Sequence, residues 1–262
     1  MSSIHPTALV DPKAELAPDV QIGAYAIVGP HVCIDEGSSI GPHAVIEGHT
    51  RIGRRNQIFQ FASIGAAPQD KKYRNEPTRL EIGDDNTIRE FVTINCGTTQ
   101  DREVTKIGND NWIMAYVHIA HDCVVGDHGI FANSTNIAGH VEIGDWVILG
   151  GFTGVHQFCK IGSHAMTGVG SVVLHDIPPY VMASGNSAKA HGINSEGLRR
   201  RGFTQGDINT LRRAYKTLYK SGLTLDQARS ELAVVAQGDD DSARHVRLLS
   251  TFLHTVTRGI VR

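Results

Sequence analysis

The sequence predicts a parallel β-helix followed by a small helical domain. Three observations carry that prediction: an apolar residue at every sixth position, a small or β-branched residue four places after it, and a change of composition past two consecutive prolines. From Ile4 the apolar column runs through Val10, Leu16, Ile22, Val28, Ile34, Ile40, Ile46, Ile52 and Ile58 to Ile64. A second run begins at Ile107 and passes Ile113, Ile119, Val125, Phe131, Ile137, Ile143, Leu149, Val155 and Ile161. It falters at Thr167 and ends at Val173. Ala8, Ala14, Ala26, Ala44, Ala62, Cys123, Thr135 and Ala165 stand among the small residues four places on. An α-helix needs a period near 3.6 and a simple strand a period of 2. A period of six fits a solenoid in which each hexad supplies one short strand and one turn, with about 18 residues to a coil. Coils then stack at roughly 4.8 Å, with both columns pointing inward.

Two segments interrupt the rhythm. Ala66–Arg79 is polar and holds two prolines, after which the register resumes in phase at Ile82, Ile88 and Ile94. Gly97–Lys106 shifts the phase by one. Both are expected to be loops on the solenoid, at about 66–79 and 97–106, and loops on a rigid scaffold often carry function. Pro178 and Pro179 cannot continue a paired strand, so the repeat is expected to end near Tyr180. The solenoid domain is assigned to residues 1–186 and the helical domain to 187–262. In the latter, Thr204 to Asp207 reads as a capping box ahead of Ile208, Leu211, Tyr215 and Leu218 at helical spacing. Gly222 is a plausible stop. A second helix starts at Thr224, and a third is expected over Ala243–Thr255.

Composition excludes several classes. A formal charge of −2 over 262 residues gives no general pull toward nucleic acid. No apolar run is long enough for a transmembrane helix, so no integral membrane association is expected. Met1 to Val10 lacks the pattern of a signal peptide, and a cytoplasmic location is expected. Cys33, Cys96, Cys123 and Cys159 show no metal-ligand spacing and read as buried thiols in a reducing compartment. Cys123 and Cys159 stand two coils apart, roughly 9.6 Å, too far for a bridge.

Residues 18 apart lie one above another, so His121 stacks under Gly139 and Gln157. His118, His140 and His156 are beside them at the same edge. Histidine titrates near neutrality and suits general-base work. Asp122 could orient the His121 ring, although neighbours on a strand tend to point apart. A base here could take a proton from a sugar hydroxyl that attacks a thioester directly, with the Gly139 N–H on the oxyanion. No G-x-S-x-G elbow is present, and Cys96 lacks a motif. The remaining solenoid histidines, His5, His31, His43, His49, His128, His164 and His175, read as solvated turn residues. Spacing alone also leaves open a metal site of His121, His140 and His156.

The strings HIAHDC (118–123), IAGHVEIGD (137–145), GVHQFCKIG (154–162), PPYVMASGN (178–186) and NSEGLRRRGF (194–203) closely resemble the acyl-ACP–UDP-N-acetylglucosamine O-acyltransferases of lipid A synthesis. QFASIG (60–65) and DKKYRNEPTRLEIGD (70–84) do so too, and the resemblance covers essentially the whole chain. It implies a left-handed solenoid and a homotrimer with active sites between subunits. It implies acyl carrier protein bearing a 3-hydroxyacyl group as donor, UDP-N-acetylglucosamine as acceptor, no cofactor and no metal. It makes His121 the general base, assisted by Asp122, with Gly139 at the oxyanion. Gln69, Asp70, Lys72, His118 and His140 match positions around sugar and acyl groups. His156, Gln157, Asn194, Glu196, Arg200 and Arg201 match positions that bind the nucleotide and its phosphates. Val169 matches the floor that measures acyl length, where a residue larger than Gly implies a shorter chain. Asn95-Cys96 departs from the His-Arg pair frequent in the family.

Alternatives remain at this stage. The repeat is shared by acyltransferases that use other sugar nucleotides or acetyl-CoA, by γ-carbonic-anhydrase-like metalloenzymes, and by solenoids that serve as scaffolds. The charges Arg199–Arg201, Arg212, Arg213, Lys216 and Lys220 suit a diphosphate or an acidic carrier protein, and equally a solvated helix face.

Overall fold

Strands of two to five residues alternate with turns from Ser3 to Ile193 in the computed structural model, which describes residues 3–238 and 240–262. They assemble into three sheets of 11, 9 and 8 strands, and as far as Val172–Val173 each successive strand passes to the next sheet. The chain therefore winds around a three-sided prism. In the order the chain visits them, the first face has 11 strands, the second 9 and the third 8.

The period of six explains the interior. Ile22, Ile40, Ile58, Ile88 and Ile113 form one column under the first face. Val28, Ile46, Ile64, Ile94, Ile119 and Ile137 lie under the second, and Ile34, Ile52, Ile82, Ile107, Val125 and Ile143 under the third. All are buried, and each such side chain is worth about 1.5–3 kcal/mol of apolar transfer. The small-residue column lines the corners, where Ala26, Ala44 and Ala62 are buried between the first and second faces. Between the third and first faces the corner is polar instead. Asn56, Asn86 and Asn111 form a buried ladder whose amides donate to the carbonyls of Gly83, Gly108 and Gly126. Every rung is satisfied, which is what makes a polar column tolerable in a core.

Ordinary coils stack at a separation of 18, as Ile22 does on Ile40. Across the first insert Ile58 pairs with Ile88, a separation of 30, and across the second Ile94 pairs with Ile119, a separation of 25. This changes the reading of Ile82. Although it is in phase with Ile64, it does not stack on it, but pairs with Ile52 under the third face. The first insert adds the length of two hexads, so the sequence keeps count while the fold advances by one face only. Both inserts leave the second face and return on the third: strands end at Ala66 and Asn95 and resume at Arg79 and Val104. Two loops thus emerge on the same edge of the prism.

The repeat also outlasts its expected end. Val181–Ser184 pairs in parallel with Met166–Thr167, and Lys189–Ile193 then turns back antiparallel to it. Pro178 and Pro179 occupy the turn before that strand, where no ladder amide is needed. Four helices follow: α1 (Ser195–Arg200), α2 (Gln205–Tyr219), α3 (Leu225–Val235) and α4 (Asp241–Thr255). Reciprocal capping boxes at Thr204/Asp207 and Thr224/Gln227 start α2 and α3. Tyr180, Leu198, Ile208, Leu211, Leu232, Val246 and Leu249 join the helices to the solenoid's end. Among the described residues no helix is long and apolar enough to cross a membrane.

Candidate active site

The edge that carries both inserts also carries the histidine cluster. His121 and Asp122 form the turn that follows the strand His118–Ile119 on the second face, and Gly139 and His140 form the next turn along. The His140 amide donates to the His121 carbonyl at 3.0 Å, and the Phe158 amide to the Gly139 carbonyl at 3.1 Å, so the turns are in register.

The sequence offers Asp122 as the partner of His121, against the tendency of strand neighbours to point apart. They meet because they lie on a turn: Asp122 takes a φ of 59°, a left-handed conformation that Asp tolerates better than most residues. His121 Nδ1 stands 2.9 Å from Asp122 Oδ2, and Asp122 is fully buried. Burial pushes the Asp122 carboxyl up, but hydrogen bonds from His121 and Thr98 outweigh it and hold the group below its ordinary value. The His121 ring lies over Gly139: a Cβ there would meet His121 Cε1 at 2.6 Å. Glycine is required by that approach. Among the described residues no backbone hydrogen bond engages the Gly139 amide, and it is free to donate.

His140 packs edge-on against His121 with centroids 4.9 Å apart, and its Nδ1 is 2.7 Å from Asp101 Oδ2. His118 Nδ1 contacts Thr93 Oγ1 at 2.7 Å, and burial followed by the proximity of His121 lowers its pKa. His156 Nδ1 is 3.0 Å from the Gln157 carbonyl.

Two cavities meet at His121. One, of about 890 Å³, is polar and lies toward the third face. It is walled by Gln69, Asp70, Lys71 and Lys72 of the first insert, Gln100, Asp101 and Arg102 of the second, and His140, Glu142, Gln157 and Lys160. The other, of about 470 Å³, runs over the second face. It is floored by Ile137, Ala138, Gly154, Val155, Val172 and Val173, with His118, Gly139 and His156 along it. Gln69 and His121 belong to both. Of the metal reading, His121 and His140 approach one another, but the third group within reach is Asp122 rather than His156. Both carboxylate oxygens of Asp122 are already hydrogen-bonded.

Known proteins match this geometry from end to end. Residues 176–261 fit the family described as "Udp N-acetylglucosamine O-acyltransferase; Domain 2", and residues 105–139 fit "Bacterial transferase hexapeptide (six repeats)". The acyl-[acyl-carrier-protein]–UDP-N-acetylglucosamine O-acyltransferase of Thiobacillus denitrificans is 65% identical, with 100% of both chains covered. That of Herminiimonas arsenicoxydans is 63% identical over the same full span. The crystal structure of LpxA from Acinetobacter baumannii superposes with a TM-score of 0.95 at 53% identity, covering 99% of each chain. The chain belongs to the acyl-ACP–UDP-N-acetylglucosamine O-acyltransferase family.

Not every residue matched to this O-acyltransferase family lies at the His121 edge. Asn194, Glu196, Arg200 and Arg201 border neither cavity. Asn194 caps α1 through the Gly197 amide and donates to the His164 carbonyl. Arg201 stacks its guanidinium over Trp146 at 5.3 Å and donates to His164 Nδ1 at 3.2 Å. Trp146 and His164 belong to the edge between the third and first faces, a different edge of the same prism. His164 is therefore no solvated turn residue. Burial, then the charges of Arg201 and His245, push it down to about 4. Glu196 pairs with Arg199 and Arg200. Val169 sits on the third edge, between the strands Met166–Thr167 and Val172–Val173, and is 77% exposed.

The departure at Asn95-Cys96 has a structural account. Asn95 Nδ2 donates to the Ala66 and Ala67 carbonyls and Cys96 Sγ to Gly65, so the pair ties down the stem of the first insert. Burial raises the Cys96 thiol to about 11, away from the thiolate form that a nucleophile needs. All four cysteines are free. Sequence reasoning missed Thr98, Asp101, Arg102, Glu142 and Lys160. The only signal for them was their place in or opposite an insert.

Proposed function

We propose that this protein transfers a 3-hydroxyacyl group from acyl carrier protein to the 3-hydroxyl of UDP-N-acetylglucosamine, the opening reaction of lipid A synthesis. The observation that carries the reading is the place of His121, between a polar cavity suited to a sugar nucleotide and an apolar one suited to an acyl chain. Asp122 accepts from Nδ1 and leaves Nε2 as the basic nitrogen. Nε2 takes the proton of the sugar hydroxyl as its oxygen attacks the thioester carbonyl carbon. The oxyanion that forms accepts from the Gly139 N–H. When the tetrahedral species collapses, the carbon–sulfur bond breaks and His121 returns the proton to the departing thiolate. The products are the 3-O-acyl sugar nucleotide and free carrier-protein thiol, with no covalent enzyme intermediate.

Gln69, Asp70, Lys72, His140 and Gln157 hold the sugar and its phosphates in the polar cavity, beside His118 and His156. Asn194, Glu196, Arg200 and Arg201 stand on another edge, so a site that uses both sets draws on two copies of the chain. A homotrimer with sites at its clefts meets that need. Val169, which lines neither cavity in one copy of the chain, keeps the role its matched position implies: a floor that favours a shorter acyl chain than Gly would.

The test is transfer to UDP-N-acetylglucosamine from a panel of 3-hydroxyacyl carrier proteins, with Val169→Gly alongside. One chain length should dominate, and Val169→Gly should move the preference to longer chains. An unchanged ranking removes the ruler role, and no transfer from any donor by the folded protein removes the reaction.

A further inference from the structure

The second insert directs three side chains at the ionisable groups of the His121 edge. Thr98 is buried, and its hydroxyl donates to Asp122 Oδ2 at 2.6 Å while its amide donates to Oδ1 at 3.0 Å. Asp101 Oδ2 faces His140 Nδ1 at 2.7 Å. Arg102 pairs with Glu142, which Lys160 approaches at 3.6 Å from the other side. Just past the insert, Thr105 Oγ1 accepts from the Asp122 amide at 2.9 Å.

We propose that the second insert is a positioning arm for acyl transfer: Thr98 holds the Asp122 carboxylate against His121, Asp101 holds His140, and both rings thereby present Nε2 to the cavity. This rests on the reading of His121 as general base. A carboxylate is acceptor-only, so one that faces Nδ1 places the ring proton there and leaves Nε2 free. Asp122 has no solvent contact, and a buried carboxylate without donors takes up a proton. Once neutral, it no longer specifies the tautomer of its histidine. The Thr98 hydroxyl and amide, with His121 itself, are the donors that prevent this. Asp101 repeats the arrangement one coil along, and the Arg102–Glu142 pair pins the arm to the third face. An insert that only decorated the surface would not aim its polar atoms at a buried carboxylate and at the imidazole beside it.

Thr98 and Asp101 are positioning residues, so the experiment must separate orientation from simple support. We would measure kcat and KM for UDP-N-acetylglucosamine in the full-length protein for Thr98→Val, Thr98→Ser, Asp101→Asn, Asp122→Asn and the Thr98→Val/Asp122→Asn double variant. His121→Ala serves as reference. Thr98→Val should lose about 10- to 100-fold in kcat, the value of a hydrogen bond to a charged group, with KM little changed. Thr98→Ser should recover most of that loss. The double variant should be no slower than Asp122→Asn alone, because Thr98 acts through that carboxylate. Asp101→Asn should lower kcat/KM by about 10-fold on the same grounds. An inactive His121→Ala beside a Thr98→Val of wild-type kcat would overturn the proposal, as would losses that multiply in the double variant. An unchanged kcat/KM in Asp101→Asn would remove that half of the arm. If His121→Ala itself kept full turnover, the general-base reading would fall instead. Thr98→Ser and Asp101→Asn are near-isosteric and remain readable should the valine variant not fold.

Discussion

Along the edge between the first and second faces, Tyr25, His43, Phe61, Phe91 and Tyr116 occupy successive corners. Their rings stack with centroids 4.8 to 5.2 Å apart. Along the edge between the second and third faces the same kind of corner is held by Asp122, His140 and Phe158, with His140 on Phe158 at 4.3 Å. The backbone is alike in both places: φ is 58° at Phe91 and 59° at Asp122. One edge fills its left-handed corners with rings that lean on one another. The other opens the column with two inserts and puts a buried carboxylate where a ring would sit. The solenoid therefore supplies like sockets at both edges, and on the proposed function what sits in them decides whether an edge stabilises or reacts.

Substitutions at the two edges should accordingly have opposite signatures. At the edge proposed to react, Gly139→Ala places a methyl 2.6 Å from His121 Cε1 and must displace the ring. The expected result is a fall of about 100-fold in kcat, the usual effect of misplacing a catalytic group by an ångström, with the thermal midpoint little changed. At the stacking edge, Phe91→Ala removes contacts to Phe61 and Tyr116. Each such pair is worth about 0.5–1.5 kcal/mol, so denaturant unfolding should show a loss of roughly 1–3 kcal/mol while kcat stays at the wild-type value. A large loss of turnover in Phe91→Ala would break the division between edges.

The smallest effect is expected at the remaining edge. His164 is held neutral, its pKa depressed to about 4 against an ordinary 6.5. Between those values the unfolded chain binds more protons than the folded one, so this group's contribution is complete above about 6.5 and fades as pH falls toward 4. His164→Asn should therefore show a smaller drop in thermal midpoint between pH 7 and pH 5 than the wild type. An equal drop would mean that other groups account for the acid sensitivity.

What the sequence made legible follows from what is periodic. The isoleucine columns and the stack of His121, Gly139 and Gln157 depend only on counting, and counting survives folding. Ile82 shows the limit, because an insert of two hexads preserves the count and changes the face. The contacts of Thr98 with Asp122 and of Asp101 with His140 span 24 and 39 positions, and depend on the path of a loop that no periodicity describes. Helix α1 escaped for a similar reason. It has six residues, Gly197 interrupts it, and its start rests on a single cap, Asn194. Chain distance also concealed that Arg201 and His121 occupy different edges, since the turn count that separates them runs through two irregular strands and a helix.

The most direct test is turnover of acyl transfer to UDP-N-acetylglucosamine by His121→Ala, with thermal unfolding measured on the same preparation. The account predicts a variant that still folds and whose kcat falls by about 10²- to 10⁴-fold, the range for loss of a positioned general base. Wild-type turnover from the folded variant would contradict it, and would place the chemistry somewhere other than the edge that carries the inserts.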